Sequence, residues 1–180
     1  SQKGYADARL DGRAEIRLQD YREVRGKFDN IVSIEMIEAV GERYWPSYFK
    51  TLKERLAEGG HAVIQSIVVN DSDFTKYRKQ SDFIREHIFP GGMLPCVSVI
   101  QQEAAGAGLR VNEVYSFGNH YAQTCRIWAE RLTLQSARIM RFGYDNPFLR
   151  SWQFYLESCA ATFATGRTNV VQVDLVHAAS

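Results

Sequence analysis

Phe28-Asp-Asn-Ile-Val-Ser-Ile-Glu-Met-Ile-Glu38 is the stretch from which the rest of the chain can be ordered. Residues 28–34 are rich in β-branched side chains and read as a buried strand. The pattern then breaks, and Glu35 and Glu38 follow at a spacing that puts both on one face if the segment turns helical. Downstream, Tyr44 to Glu58 has helical periodicity, with Trp45, Tyr48, Phe49, Leu52 and Leu56 on one face. Pro46 suits its first turn and Gly59-Gly60 its end. His61 to Val69 is a second strong strand.

Residues 70–87 are polar and charged, with an amphipathic stretch around Phe74, Tyr77, Phe83 and Ile84, and read as an inserted helical region. Phe89-Pro-Gly-Gly-Met-Leu-Pro95 is a turn-rich loop. A helix is predicted over 97–107, a strand over 109–117, a long helix over 122–142 and another over 147–165, with Asn146 as its cap before Pro147. A closing strand is predicted over 169–177. Upstream, Ala14 to Leu18 alternates and reads as a strand, and Gly4 to Leu10 as the tail of a helix stopped by Gly12. Strands alternating with helices predict a three-layer α/β sheet. Ligands of such sheets bind beyond the carboxyl ends of the strands. That rule selects Asp20-Tyr21, Ile34 to Glu38, Gln65-Ser66 and Phe117 to Tyr121.

Composition narrows the classes. The chain has 180 residues, which fits one domain, and a net charge of +1 with no basic stripe, which argues against a nucleic-acid binder. No apolar run is long enough to span a bilayer, and no signal peptide opens the chain. The three cysteines, Cys96, Cys125 and Cys159, form no CxxC pair, so a reducing compartment is the default reading. No second His or Cys stands at metal-ligand spacing, and P-loop, GxSxG and GxGxxG motifs are absent.

Several of the selected residues admit two readings. Asp20 can accept from an adenine amino group while Tyr21 stacks on the base, or Asp20 can simply start a turn. Glu35 and Glu38 can supply a general base or hold an ion, or can be an acidic pair favoured by a helix N-terminus. His120 is an acid/base candidate, although a lone His after a strand is more often structural.

The chain is similar to the cyclopropane-fatty-acyl-phospholipid synthase and mycolic acid cyclopropane synthase family. The resemblance lies in Leu18-Gln-Asp-Tyr-Arg22, Phe28 to Gly41, Phe83-Ile84, Ile88-Phe-Pro-Gly-Gly-Met-Leu-Pro95, His120-Tyr121 and Trp152 to Phe163. It implies a class I S-adenosylmethionine-dependent methyltransferase. The fold is then an α/β, Rossmann-like three-layer sheet lacking the first two strands in this chain, with a helical insert. Residues 1–180 become a partial methyltransferase domain, with a substrate-covering insert at 70–93, C-terminal helices at 122–166 and the last strand at 169–177. The implied reaction moves a methyl group from the sulfonium to a cis double bond of an acyl chain. Proton loss then gives a cyclopropane, or a methyl branch arises without ring closure.

By the same resemblance, Glu38 and Tyr121 belong to the site of a bound bicarbonate that acts as base, and Ile34 contributes its backbone. Phe89 stabilises a cation, and Asp20 and Tyr21 contact adenine. Many members carry His where this chain has Gln65, which can hydrogen-bond an anion but cannot relay a proton as His does. The glycine-rich loop that binds the methionine part of the cofactor, and a cysteine of the bicarbonate site, would both precede Ser1. The chain is therefore expected to be a fragment of a longer enzyme, or to take its missing strands from another chain. The expected partners are an unsaturated phospholipid or acyl lipid, peripheral contact with the inner membrane face from the cytoplasm, and a second copy as a homodimer. A small-molecule methyltransferase of the same fold, or a non-catalytic methyltransferase-like fragment, are the competing readings.

Overall fold

The computed structural model describes residues 13–179. The predicted helix tail at Gly4–Leu10 and its stop at Gly12 lie outside the described residues. Four strands form one mixed sheet: β1 (Phe28–Ile34), β2 (Leu56–Val69), β3 (Leu109–Ser116) and β4 (Thr168–His177), in the order β1-β2-β4-β3. β1 and β2 are parallel, and β4 runs antiparallel to both of its neighbours. The helices are α1 (Ile37–Val40), α2 (Trp45–Arg55), α3 (Asp71–Lys79), α4 (Val97–Gly106), α5 (Gly118–Leu134), α6 (Ser136–Arg141) and α7 (Asn146–Ala164). None of the described helices is long and apolar enough to cross a membrane.

Side-chain alternation along the strands assigns each helix to a face. Ala62, Ile64 and Val68 of β2 and Val171, Val173 and Leu175 of β4 point to one face, where they pack with Trp45, Tyr48, Phe49 and Leu52 of α2 and Ile100 and Ala104 of α4. This is the main core, and Phe49 and Ile100 are fully enclosed in it. The opposite face carries Ile67 and Val170, covered by Ala122 and Cys125 of α5 and by Cys159, Ala160 and Phe163 of α7. The sheet is thus sandwiched between two helical layers, as the strand-helix alternation predicts.

Several local expectations need correction. The strand over 28–34, expected to be buried, is a largely exposed edge among the described residues. Ala14–Leu18 is not a strand. Alternation gives only a preference, and a strand exists through its hydrogen-bonded neighbour; β1 forms one edge of the sheet and pairs only with β2 among the described residues. The helix expected over 122–142 begins earlier, at Gly118, and breaks at Gln135 into α5 and α6. The cap of α7 is Asp145 rather than Asn146, because the Asp145 carboxylate accepts from the Phe148 amide at 2.9 Å. Gly59-Gly60 falls inside β2, where the register jumps from Phe28↔Leu56 to Asn30↔His61. A Cβ on Gly60 would meet the Asp29 carbonyl oxygen at 2.6 Å, so only glycine lets the two strands close again after the bulge.

In the insert, the amphipathic stretch splits into α3 and one wide helical turn at Ile84–Ile88. The loop after it is tied back to the sheet, since the Val69 amide donates to the Pro95 carbonyl at 3.0 Å.

Candidate functional site

β1 ends at Ile34, level with Gln65 of β2 and, across β2, with Gln172 of β4. Gln65 therefore lies inside its strand rather than at the tip, where sequence reading put it. The chain leaves β1 through Glu35, whose φ of +50° makes it the only left-handed non-glycine among the described residues. A side chain in that region costs about 1–2 kcal/mol, so the surroundings must hold it there. Two contacts do: the Glu35 amide donates to the Gln65 carbonyl at 2.8 Å, and the carboxylate is gripped from across the sheet.

That grip is a closed network. Gln65 Nε2 donates to Glu35 Oε1 at 2.9 Å and to the Tyr121 oxygen at 2.8 Å. The Tyr121 hydroxyl donates to the same Glu35 Oε1. Gln172 Nε2 donates to Gln65 Oε1 at 2.9 Å. Each polar atom of the Gln65 amide has a partner, and a flipped amide would turn an acceptor towards the carboxylate. Tyr121 comes from the first turns of α5 and is wedged by Phe117 and Phe163, with ring centroids at 5.7 and 5.5 Å. Burial first, then the bond to Glu35 and its charge, push the Tyr121 hydroxyl above the ordinary tyrosine range, so it remains a donor.

Glu38 sits on the other side of β2. Its Oε1 accepts from Ser66 Oγ at 2.9 Å and from the Ile67 amide at 2.6 Å, taking a backbone donor of β2 that lies past the end of β1. Its Oε2 is buried without a partner. Burial raises the carboxyl above its ordinary range, while the bonds from Ile67 and Ser66 act in the opposite direction. The Glu38 carbonyl accepts from the Met93 amide at 3.0 Å and so anchors the Phe89–Pro95 loop. Phe89 is 54% exposed and packs edge-on against Tyr155 of α7 at 5.9 Å. Tyr155 and Cys159 are themselves pushed upward by burial, Cys159 to about 12, so neither is a thiolate or phenolate nucleophile.

The structure thus brings Gln65 and Tyr121 together directly and places Glu38 beside them through adjacent residues of β2. Phe89 is joined through the loop that Glu38 holds. Asp20 and Tyr21 lie apart from this network. Asp20 caps the turn Tyr21–Glu23 and forms an exposed pair with Arg22, whose guanidinium lowers the carboxyl to about 2. Tyr21 packs edge-on against Tyr48 at 5.9 Å, on the α2 face. The Ile34 side chain is 55% exposed at the end of β1.

Sequence reading missed the role of Gln172 and offered Glu35 together with Glu38 as a general base, an ion holder or an acidic pair, without separating the two. A polar residue inside Val170-Val-Gln-Val173 was the available signal for Gln172. Nothing in the sequence marks Glu35 as left-handed.

Known proteins agree with this architecture. At 24% identity and a TM-score of 0.79, the structure resembles the mycolic acid cyclopropane synthase CmaA1 complexed with SAH and CTAB, covering 97% of this chain and 66% of that one. The cyclopropane synthase MmaA2 of Mycobacterium tuberculosis gives the same TM-score at 23% identity. In sequence, the chain is 39% identical over 172 residues to the tuberculostearic acid methyltransferase UfaA1 of M. tuberculosis, covering 95% of this chain and 40% of that protein. It is 31% identical over 158 residues to the cyclopropane-fatty-acyl-phospholipid synthase of Escherichia coli K12, covering 88% of this chain and 40% of the relative. The chain therefore spans about 40% of the length of these curated relatives. With the mycolic acid cyclopropane synthetase family model matching residues 1–173, the chain belongs to that family.

Proposed function

We propose that the protein transfers a methyl or methylene unit from S-adenosylmethionine to the double bond of an unsaturated phospholipid acyl chain. The observation that carries this reading is the Glu35–Gln65–Tyr121 network at the carboxyl end of β1, next to the aromatic surface of α7. A fixed carboxylate beside apolar walls suits a reaction that builds positive charge on a hydrocarbon and then removes a proton. The names of the relatives, a tuberculostearic acid methyltransferase and a cyclopropane-fatty-acyl-phospholipid synthase, point the same way.

Within this reading Asp20, Tyr21 and Ile34 hold the cofactor. The residues suit it: after its three bonds to Arg22, the Asp20 carboxylate keeps acceptor capacity for an adenine amino group. Tyr21 adds an aromatic edge, and Ile34 an apolar surface at the strand end. The cofactor supplies an electrophilic methyl on sulfur. Gln65 and Tyr121 orient the Glu35 carboxylate. Glu38 fixes the Phe89 loop, and the Phe89 ring offers its face to a developing cation.

Bicarbonate does not fit this site. Of the donors that would hold it, Tyr121 gives its hydrogen to Glu35 Oε1, and Gln65 gives its two to Glu35 Oε1 and to the Tyr121 oxygen. A second anion would also stand beside an existing carboxylate.

Residues 70–93 and 122–166 supply the lipid-facing surface. A cleft of about 430 Å³ separates Phe83, His87 and Ile88 of the insert from Phe148, Ser151 and Trp152 of α7. Phe83 also packs edge-on against Phe154 at 4.9 Å. An acyl chain presented by a bilayer implies peripheral contact with the cytoplasmic leaflet.

Expression from the complete reading frame in a host with unsaturated phospholipids tests the reading. Acyl chains heavier by one methylene unit are the expected result. Unchanged lipids together with methylation of a soluble small molecule would transfer the reading to the other substrate class.

A further inference from the structure

Sequence spacing leaves Glu35 and Glu38 as equal candidates for a base, and the fold treats Glu35 as special. It adopts a left-handed backbone that glycine would adopt freely. Its carboxylate receives both donors of the site on one oxygen, Oε1. No hydrogen bond among the described residues engages Oε2. Gln65 is locked by Gln172, and Tyr121 by two aromatic rings, so the carboxylate has little freedom. Glu38, the alternative base, is poorly placed: Oε1 is tied to Ser66 and Ile67, and Oε2 is enclosed in the protein.

We propose that Glu35 is the proton acceptor of the reaction, a carboxylate built into the chain where a dissociable anion would otherwise be needed. This rests on the lipid methyl-transfer reading given above. The alkene π pair forms the bond to the incoming methyl, while the C–S pair stays with sulfur and the neighbouring carbon becomes cationic. Glu35 takes a proton from the transferred methyl. The released C–H pair forms the carbon–carbon bond that closes the ring, and Glu35, now a neutral acid, returns its proton to water. Gln65 and Tyr121 are positioning residues in this scheme. Gln at 65 is then a fitting choice, because a relay to a separate anion is unnecessary; its task is to give both amide hydrogens to fixed acceptors.

The test uses the protein from its complete reading frame, radiolabelled S-adenosylmethionine and vesicles of unsaturated phospholipid. The wild type should turn over equally well in carbonate-depleted buffer and with added bicarbonate. Glu35→Gln should lose at least about 100-fold in kcat, the usual scale for removing a general base, while cofactor affinity and melting temperature persist. Glu35→Gly, which suits the left-handed backbone and opens both donors, should regain activity when formate or bicarbonate is supplied. A wild type that depends on bicarbonate, or a Glu35→Gln variant with near-normal turnover, would overturn the proposal. Carbon-13 line broadening of bicarbonate gives a readout without turnover: broadening is expected with Glu35→Gly and not with the wild type. If no lipid is methylated under any condition, the substrate reading fails, and this binding contrast alone decides the place of Glu35. Equal broadening by both proteins would then count against it.

Discussion

The two faces of the sheet are built from the same four strands and differ in what they enclose. The α2/α4 face is closed by large apolar side chains, with Phe49 at 0% exposure. The α5/α7 face has a smaller core with two cysteines and Phe163, and it carries the polar network of Glu35, Gln65, Tyr121 and Gln172. Beside that network β1 leaves Val32 66% exposed. The contrast separates two tasks: one face supplies most of the burial that holds the sheet, and the other tolerates the buried Gln65 amide because both of its polar atoms are paired. Substitutions that respect or cross this boundary should differ in kind.

The largest stability effect is expected on the closed face. Phe49→Ala should cost about 3–5 kcal/mol in urea unfolding, the usual range for a buried Phe. Phe163→Ala should cost less, about 3 kcal/mol at the low end of that range, because its smaller cluster can collapse, while displacing Tyr121 and lowering turnover. Equal costs on the two faces would break the comparison.

Gly118→Ala comes next. A Cβ there would meet Asn169 Oδ1 at 2.5 Å and the Asn169 Cα at 3.1 Å. That side chain cannot swing away freely, since it accepts from both the Gly118 and Val170 amides. The start of α5 must shift away from β4, at about 1–3 kcal/mol by chemical denaturation, and Tyr121 shifts with it.

Glu38 sharpens the contrast through pH. Its raised carboxyl means the folded state holds the proton more tightly than the unfolded chain does. Stability from this group is complete below the unfolded value and declines as pH rises from there through the folded value. Glu38→Gln, which mimics the protonated form, should flatten that decline in melting temperature measured from pH 4 upward. Glu38→Ala should instead lower stability by about 1–3 kcal/mol by leaving the Ile67 amide unsatisfied. The smallest effect is expected at Asp20→Asn, on the surface: an unchanged melt at neutral pH, with weaker cofactor binding by calorimetry.

The same asymmetry decides how much could be read from the sequence. The closed face announces itself through periodicity: Trp45, Tyr48, Phe49 and Leu52 fix α2, and the apolar runs fix β1, β2 and β4. Ala14–Leu18 shows the same kind of pattern and forms no strand, because pairing depends on a neighbour that periodicity does not encode. On the site face, Gln65 and Tyr121 were found by their place after or within strands. Glu35 was named beside Glu38, but that it and not Glu38 is their common partner was not legible, because a left-handed backbone at Glu35 and a bond spanning residues 35 and 121 are properties of the folded chain. The proposal that Glu35 takes the place of bicarbonate rests on the same folded-state features, since Gln65 and Tyr121 both donate to its carboxylate.

The amide of Ile67 offers a handle on all of this. It belongs to a strand, yet it is tied to a carboxylate on another segment. Its nitrogen-15 resonance and its exchange with deuterated solvent should therefore follow the protonation and movement of the 35–41 segment, while the amides around it follow the sheet. A single backbone signal in this protein can thus be watched as a gauge of the site's state without labelling, trapping or turning over a substrate.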